Sequence, residues 1–190
     1  MPRVRTFLAI ELDAPTHDFI AALAQSLHAE MPGVRFVSSE TWHLTLAFLG
    51  ELDEVAVTAA QEAAQSAASQ IPPFTLHATG IGTFGKPTTP RIIWVGLGGD
   101  HAALVNLQQQ VVHDLDQQHL HHDGFFSPHI TLARPRQPLS DVENAALQAA
   151  MRDITVGPAM PVTHISVMRS DLSSAGARYT CLFRAPLATE

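Results

Sequence analysis

The chain has 190 residues, 46% of them hydrophobic, and a formal net charge of −7 with its histidines neutral. That is enough apolar material for one substantial core or two small lobes. The acidic balance excludes broad nucleic-acid binding driven by counterion release, so any RNA contact must be local to a pocket.

The first residues are basic, but their apolar stretch is short and meets Glu11 and Asp13 without a small-residue cleavage site, so residues 5–12 read as a strand and not a leader. Phe19, Ile20, Leu23, Leu27 and Met31 recur at helical spacing over 15–31, and Pro32-Gly33 stops the run. A short strand is expected at 34–37 and a longer one at 43–49. An Ala-rich helix follows over 53–69, with Glu51, Asp53 and Glu54 as favourable charge at its start. Strands at 74–84 and 91–97 flank a turn-rich segment over 85–90. The rhythm then repeats: a helix over 102–118, a strand over 129–133, a helix over 139–151, and strands over 162–168 and 179–184. Hairpin-like strands among helices point to an α+β fold with antiparallel sheets in two similar halves. With no low-complexity linker between them, residues 1–190 are expected to form one bilobal domain. No run of about 18 apolar residues predicts a membrane span. Cys181, the only cysteine, excludes an intramolecular disulfide and a thiolate cluster, fits a cytoplasmic protein, and reads as a core residue.

Two segments match each other, Trp42-His43-Leu44-Thr45-Leu46-Ala47-Phe48 and Pro128-His129-Ile130-Thr131-Leu132-Ala133-Arg134. In a strand, residues two apart share a face, so each half offers an imidazole beside a hydroxyl while its aliphatic neighbours anchor in the core. His-x-Thr alone is weak, since about one is expected by chance in this composition. His77-Ala-Thr79 is a third, but it lacks the aliphatic extension and reads as a strand-end histidine. Hydrolysing a phosphodiester needs a proton taken from water, a proton given to the leaving oxygen, and donors for the phosphoryl oxygens. Two imidazoles can divide the proton work at neutral pH, and threonine hydroxyls with an arginine can hold the phosphate. No metal or other cofactor is needed by that scheme. The symmetry of the motifs does not choose which histidine is acid.

At these residues the sequence resembles the two-histidine (2H) phosphoesterases, in particular the RNA 2′,3′-cyclic phosphodiesterases historically called 2′-5′ RNA ligases. The resemblance also covers Arg5-Thr-Phe-Leu-Ala-Ile10, Phe48-Leu-Gly50, Arg91-Ile-Ile-Trp94, Phe126-Ser-Pro-His129, Met168-Arg-Ser170 and Tyr179. It implies two pseudo-symmetric lobes around a central groove. It further implies hydrolysis of an RNA-terminal 2′,3′-cyclic phosphate to a 2′-phosphomonoester without cofactor, with His43 as proton donor and His129 as proton acceptor. Thr45, Thr131 and Arg134 match phosphate-binding positions. The expected partner is an RNA 3′ end bearing a cyclic phosphate, and the expected state a monomer in the cytoplasm. The alternatives are a phosphodiesterase acting on 2′-5′ linked oligonucleotides or a small cyclic nucleotide, reversible 2′-5′ ligation, and a non-catalytic nucleotide-binding module.

Strict alternation turns Arg134 away from His129, unless the strand ends or bulges near Pro135. The same alternation puts Phe48 in the core; Trp42 and Phe126 are better placed near the rim, although an aromatic before a buried strand more often packs. His119-Leu-His121-His122-Asp123, with His113 and Asp114 upstream, reads as a helix end and not a metal site. Arg91 and Arg169 are left open between groove and solvent.

Overall fold

The computed structural model describes residues 3–86, 89–174 and 176–188. In chain order the elements are β1 (Val4–Glu11), α1 (Ala14–Glu30), β2 (His43–Leu52), α2 (Glu54–Ala68), β3 (Phe74–Lys86), β4 (Thr89–Gly99), α3 (His101–Gln117), β5 (Ile130–Ala133), α4 (Asp141–Arg152), β6 (Met160–Val162), β7 (His164–Ser173) and β8 (Gly176–Pro186). The helix starts follow local chemistry. Asp13 and Asp53 each accept a hydrogen bond from the third residue onward, and Ser140 with Glu143 forms a capping box at α4. Among the described residues no helix is long and apolar enough to cross a membrane.

Two four-stranded antiparallel sheets result, one ordered β2-β1-β7-β8 and the other β5-β4-β3-β6. The fold is therefore α+β with two lobes, but the lobes are not the two halves of the chain. The first sheet joins the first two strands to the last two, and the second is built from the middle. The back of the first sheet packs on α2 and α3 through Leu8, Ile10, Leu44 and the alanines 60, 63, 64, 67 and 68, whose spacing makes one apolar stripe of small side chains. The second sheet packs on α1 and α4 through Ile20, Leu27, Ile81, Ile93 and Leu147.

Several expectations shift. Residues 34–37 do not form a strand. They make a single bridge, Phe36 to Ala133, with Val37 N–H donating to Leu132 O at 2.9 Å, because Pro32-Gly33 leaves only a few residues alongside β5. The segment 85–90 is mostly ladder, since Gly85 at φ 108° absorbs a register shift and lets Gly85 pair with Pro90 and Lys86 with Thr89. Residues 87–88 lie outside the described residues. A short strand, β6, was not expected; it pairs with the start of β3. Cys181 is exposed and not core, because β8 is the outermost strand of its sheet and the residues around Cys181 face solvent.

Candidate active site

β2 and β5 are both edge strands, and each brings its histidine motif to one groove of about 1020 Å³ between the sheets. His43, Thr45, His129, Thr131 and Arg134 all line it. His43 opens β2, while His129 sits one residue before β5.

The two half-sites share a frame. Each histidine places Nδ1 at 2.7 Å from a carbonyl two residues back, Thr41 O for His43 and Ser127 O for His129. A carbonyl only accepts, so each Nδ1 carries the hydrogen and Nε2 is left for the groove. Each imidazole rests on a phenylalanine, Phe7 for His43 at 4.8 Å and Phe84 for His129 at 4.9 Å between ring centroids. Phe84 in turn leans on Trp94, whose indole lies over Gly82, where any Cβ would collide with it.

Each motif strand also bulges at the same place. In β2 the pairing with β1 skips Leu46, and in β5 the pairing with β4 skips Leu132. An extra residue reverses the alternation beyond it. Phe48 is thereby turned to the groove side, and the expectation that it is core is overturned. Arg134, at the equivalent position, is turned the same way, and β5 ends just before it. The guanidinium of Arg5 lies 4.5 Å over the Phe48 ring.

The half-sites differ in their surroundings. His43 Nε2 is 3.0 Å from Thr45 Oγ1, and Tyr179 stands edge-on to His43 at 5.1 Å between centroids. Burial pushes His43 below the ordinary histidine value; the Thr41 carbonyl opposes this, and the charges of His129 and Arg134 push the same way. Burial raises the Tyr179 phenol, against the pull of Arg134 and Arg5. Glu11, the cross-strand partner of His43, is held by Arg184 at 2.9 Å and 3.1 Å and by Ser166 at 2.6 Å. The hydrogen bond from Arg184 is the main cause that keeps its carboxyl below the usual range. Among the described residues neither imidazole meets a carboxylate, so a backbone carbonyl holds each Nδ1 and aromatic packing holds each ring.

Other residues fall outside the groove. His77 lies inside β3 with its ring over Gly98, neither at a strand end nor in the lining. Trp42 is 9% exposed and packs in the core with Ile20, Val95 and Ile130, the commoner fate of an aromatic before a buried strand. Phe126 does line the groove, and beside it Phe125 is 83% exposed. Arg91 is exposed away from the groove, and Arg169 pairs with Asp171 at 2.7 Å. His122 pairs with Asp116 on α3 at 3.1 Å, and among the described residues no group of three or more His, Cys, Asp or Glu is placed to hold a metal ion. Asp123 N–H donates to Phe48 O, which draws this loop onto β2 beyond its bulge.

Phe7, Phe84, Arg5 and Arg35 escaped sequence reasoning. For Phe7 a signal existed: it alternates with Ala9 and Glu11, the cross-strand partners of Thr45 and His43. Phe84 and Arg35 had none, because only the tertiary pairing brings them to the motif.

The LigT-like phosphoesterase family matches residues 10–94 of the chain. Over nearly its full length the chain is similar to proteins named RNA 2′,3′-cyclic phosphodiesterase. It is 30% identical to that of Aeropyrum pernix, covering 90% of this chain and 96% of that protein. It is 28% identical to that of Methanothermobacter thermautotrophicus, covering 94% and 96%. The fold is similar to E. coli LigT complexed with 3′-AMP, with a TM-score of 0.76 at 26% identity and full coverage of both chains.

Proposed function

Because the chain belongs to the LigT-like phosphoesterase family of the 2H superfamily, whose members quoted above are named RNA 2′,3′-cyclic phosphodiesterases, we propose that its groove opens the cyclic phosphate at an RNA 3′ end by histidine acid-base chemistry. The enzyme is a 2′,3′-cyclic phosphodiesterase, and the substrate end, product and residue roles are our reading. What carries it is the paired frame: two imidazoles, each fixed through Nδ1 with Nε2 left for one groove, each followed by a threonine two residues on.

In that reading the cyclic phosphate lies between the two histidines. His129 Nε2 takes a proton from water, whose oxygen forms a bond to phosphorus. The bond from phosphorus to O3′ breaks, and His43 Nε2–H protonates the departing oxygen. The products are a 2′-phosphomonoester and a 3′-hydroxyl, and proton exchange with solvent resets the pair. Thr45, Thr131 and Arg134 donate to the non-bridging oxygens. No step calls for a metal.

With only protein groups around it His43 favours its neutral form, which opposes a donor role. An anionic phosphate placed beside it offsets the charges of Arg134 and His129, so substrate entry itself returns the proton. The Thr45 hydroxyl, which faces His43 Nε2 at 3.0 Å, is then free to turn toward phosphate. One chain supplies both walls, which supports a monomer, and the lone Cys181 supports a cytoplasmic setting.

The test is product analysis with a 5′-labelled RNA ending in a 2′,3′-cyclic phosphate, set beside 2′-5′ oligoadenylate. The expected result is cleavage of the first to a 2′-phosphate. A 3′-phosphate product would reverse the substrate's orientation, and cleavage of the oligoadenylate alone would replace the substrate.

A further inference from the structure

Arg35 lies directly opposite Arg134. The bridge from Phe36 to Ala133 is antiparallel, and Arg134 N–H donates to Arg35 O at 3.2 Å, so the two arginines face each other across the pair. Side chains opposed in this way share a face with Cβ atoms about 4.5–5.5 Å apart, and like charges so placed are destabilising. Arg136 follows two residues later, and all three line the groove.

Asp123 lines the same groove, but among the described residues no carboxylate comes within ion-pair distance of the three. Among the described residues only Arg169 and Arg184, of the lysines and arginines, meet a carboxylate within ion-pair distance; what sets Arg35, Arg134 and Arg136 apart is that they gather on one wall of the groove. This is so in a chain with 18 acidic residues and only 11 lysines and arginines. The three are solvent-exposed, so water and salt screen their repulsion, and what the cluster offers is a local positive field that draws anions into the groove.

One anion is too few for the cluster. Arg134 directly follows the second histidine motif, whereas Arg35 lies across the strand pair from it and Arg136 two residues beyond it, so the three present separate guanidinium groups to the groove. The groove, at about 1020 Å³, matches the upper end of the range of about 300–1,000 Å³ seen for sites that enclose a drug-sized ligand.

We propose that Arg35 and Arg136 form a second anion subsite that holds the internucleotide phosphate next to the terminal cyclic phosphate. The groove then selects an RNA chain end over a free cyclic mononucleotide. This rests on the cyclic phosphodiesterase reading of the same groove, and it adds which part of the RNA is read beyond the reacting nucleotide.

The test compares a nucleoside 2′,3′-cyclic monophosphate with a short RNA ending in the same cyclic phosphate, for the wild type, Arg35→Gln and Arg136→Gln. The wild type should prefer the RNA. Arg35→Gln should lower kcat/KM on the RNA by about tenfold more than on the mononucleotide, the scale of one lost hydrogen bond to a charged group. The slope of log kcat/KM against log salt for the RNA should flatten by about 0.7 for that lost phosphate contact. Because Arg35→Gln also removes a like charge, its Tm in buffer free of phosphate should not fall below that of the wild type, which separates a lost contact from a damaged fold. Equal losses on both substrates, or none on either, would overturn the second subsite and leave the phosphodiesterase reading standing. A wild type inactive on both substrates would overturn that reading and the subsite together.

Discussion

His43 and His129 hang on the same scaffold. Each donates Nδ1–H to a carbonyl two residues back, each rests on a phenylalanine, and each strand bulges one residue past its threonine. Their surroundings are nonetheless unequal. His43 is enclosed on a second side by Tyr179 and faces Thr45, while His129 leans on the Phe84–Trp94 stack alone. The backbone therefore holds two imidazoles in the same frame, and asymmetry of packing makes them unequal. In the proposed mechanism this inequality lets one repeated motif supply an acid and a base at a single phosphate, tasks that require different protonation states at the same moment.

Removing either imidazole should have the largest effect. His43→Ala and His129→Ala should each lower turnover of a cyclic-phosphate RNA by about 10² to 10⁴-fold, the span of general acid-base contributions. His77→Ala, outside the groove, sets the reference for a histidine change of no catalytic consequence. Because both groups serve one transition state, the double variant should be little worse than the poorer single one. Losses that multiply would mean the two half-sites work independently, and full activity in either single variant would end the pairing.

A smaller effect sharpens the difference between the half-sites. Tyr179→Leu removes the ring edge that helps bury His43, so the His43 pKa should move up toward the ordinary value near 6.5. The lower-pH bend of the kcat/KM profile follows the more depressed histidine of the pair, whichever task it performs, and should rise with it. Tyr179→Phe keeps the ring and should keep the bend in place. A bend that stays put in Tyr179→Leu would locate the cause of the depression elsewhere in the pocket.

The same comparison shows what could be read without coordinates. The two motifs were legible because strand alternation ties an imidazole, a hydroxyl and two aliphatic anchors into a pattern that chance rarely repeats. The helices were legible from their stripes and caps, and α2 ends one residue short of its expected span. Beyond the threonines the reading broke down at one physical cause, the bulges at Leu46 and Leu132. A single inserted residue leaves no mark on the hydrophobic pattern, yet it moved Phe48 from the expected core to the groove and brought Arg134 to the same face. The two lobes with their antiparallel sheets are present as expected, but they are not the two halves of the chain, for a different reason. Pairing of the first strand with β7 is a long-range choice, and local periodicity carries no information about it. Arg35 became visible only when that pairing set it against Arg134.

The most direct test follows the His43 ring by NMR across a pH titration, first in the free protein and then with a nucleoside 2′-monophosphate bound. In the free protein His43 should titrate below the ordinary histidine value, because burial, together with the neighbouring charges of His129 and Arg134, favours its neutral form. With the phosphate bound its pKa should rise, as the anion takes up those charges and stabilises the imidazolium that protonates the leaving oxygen. A His43 that titrates at or above the ordinary value in the free protein, and that does not respond to the phosphate, would contradict the placement of one anion between two unequal histidines.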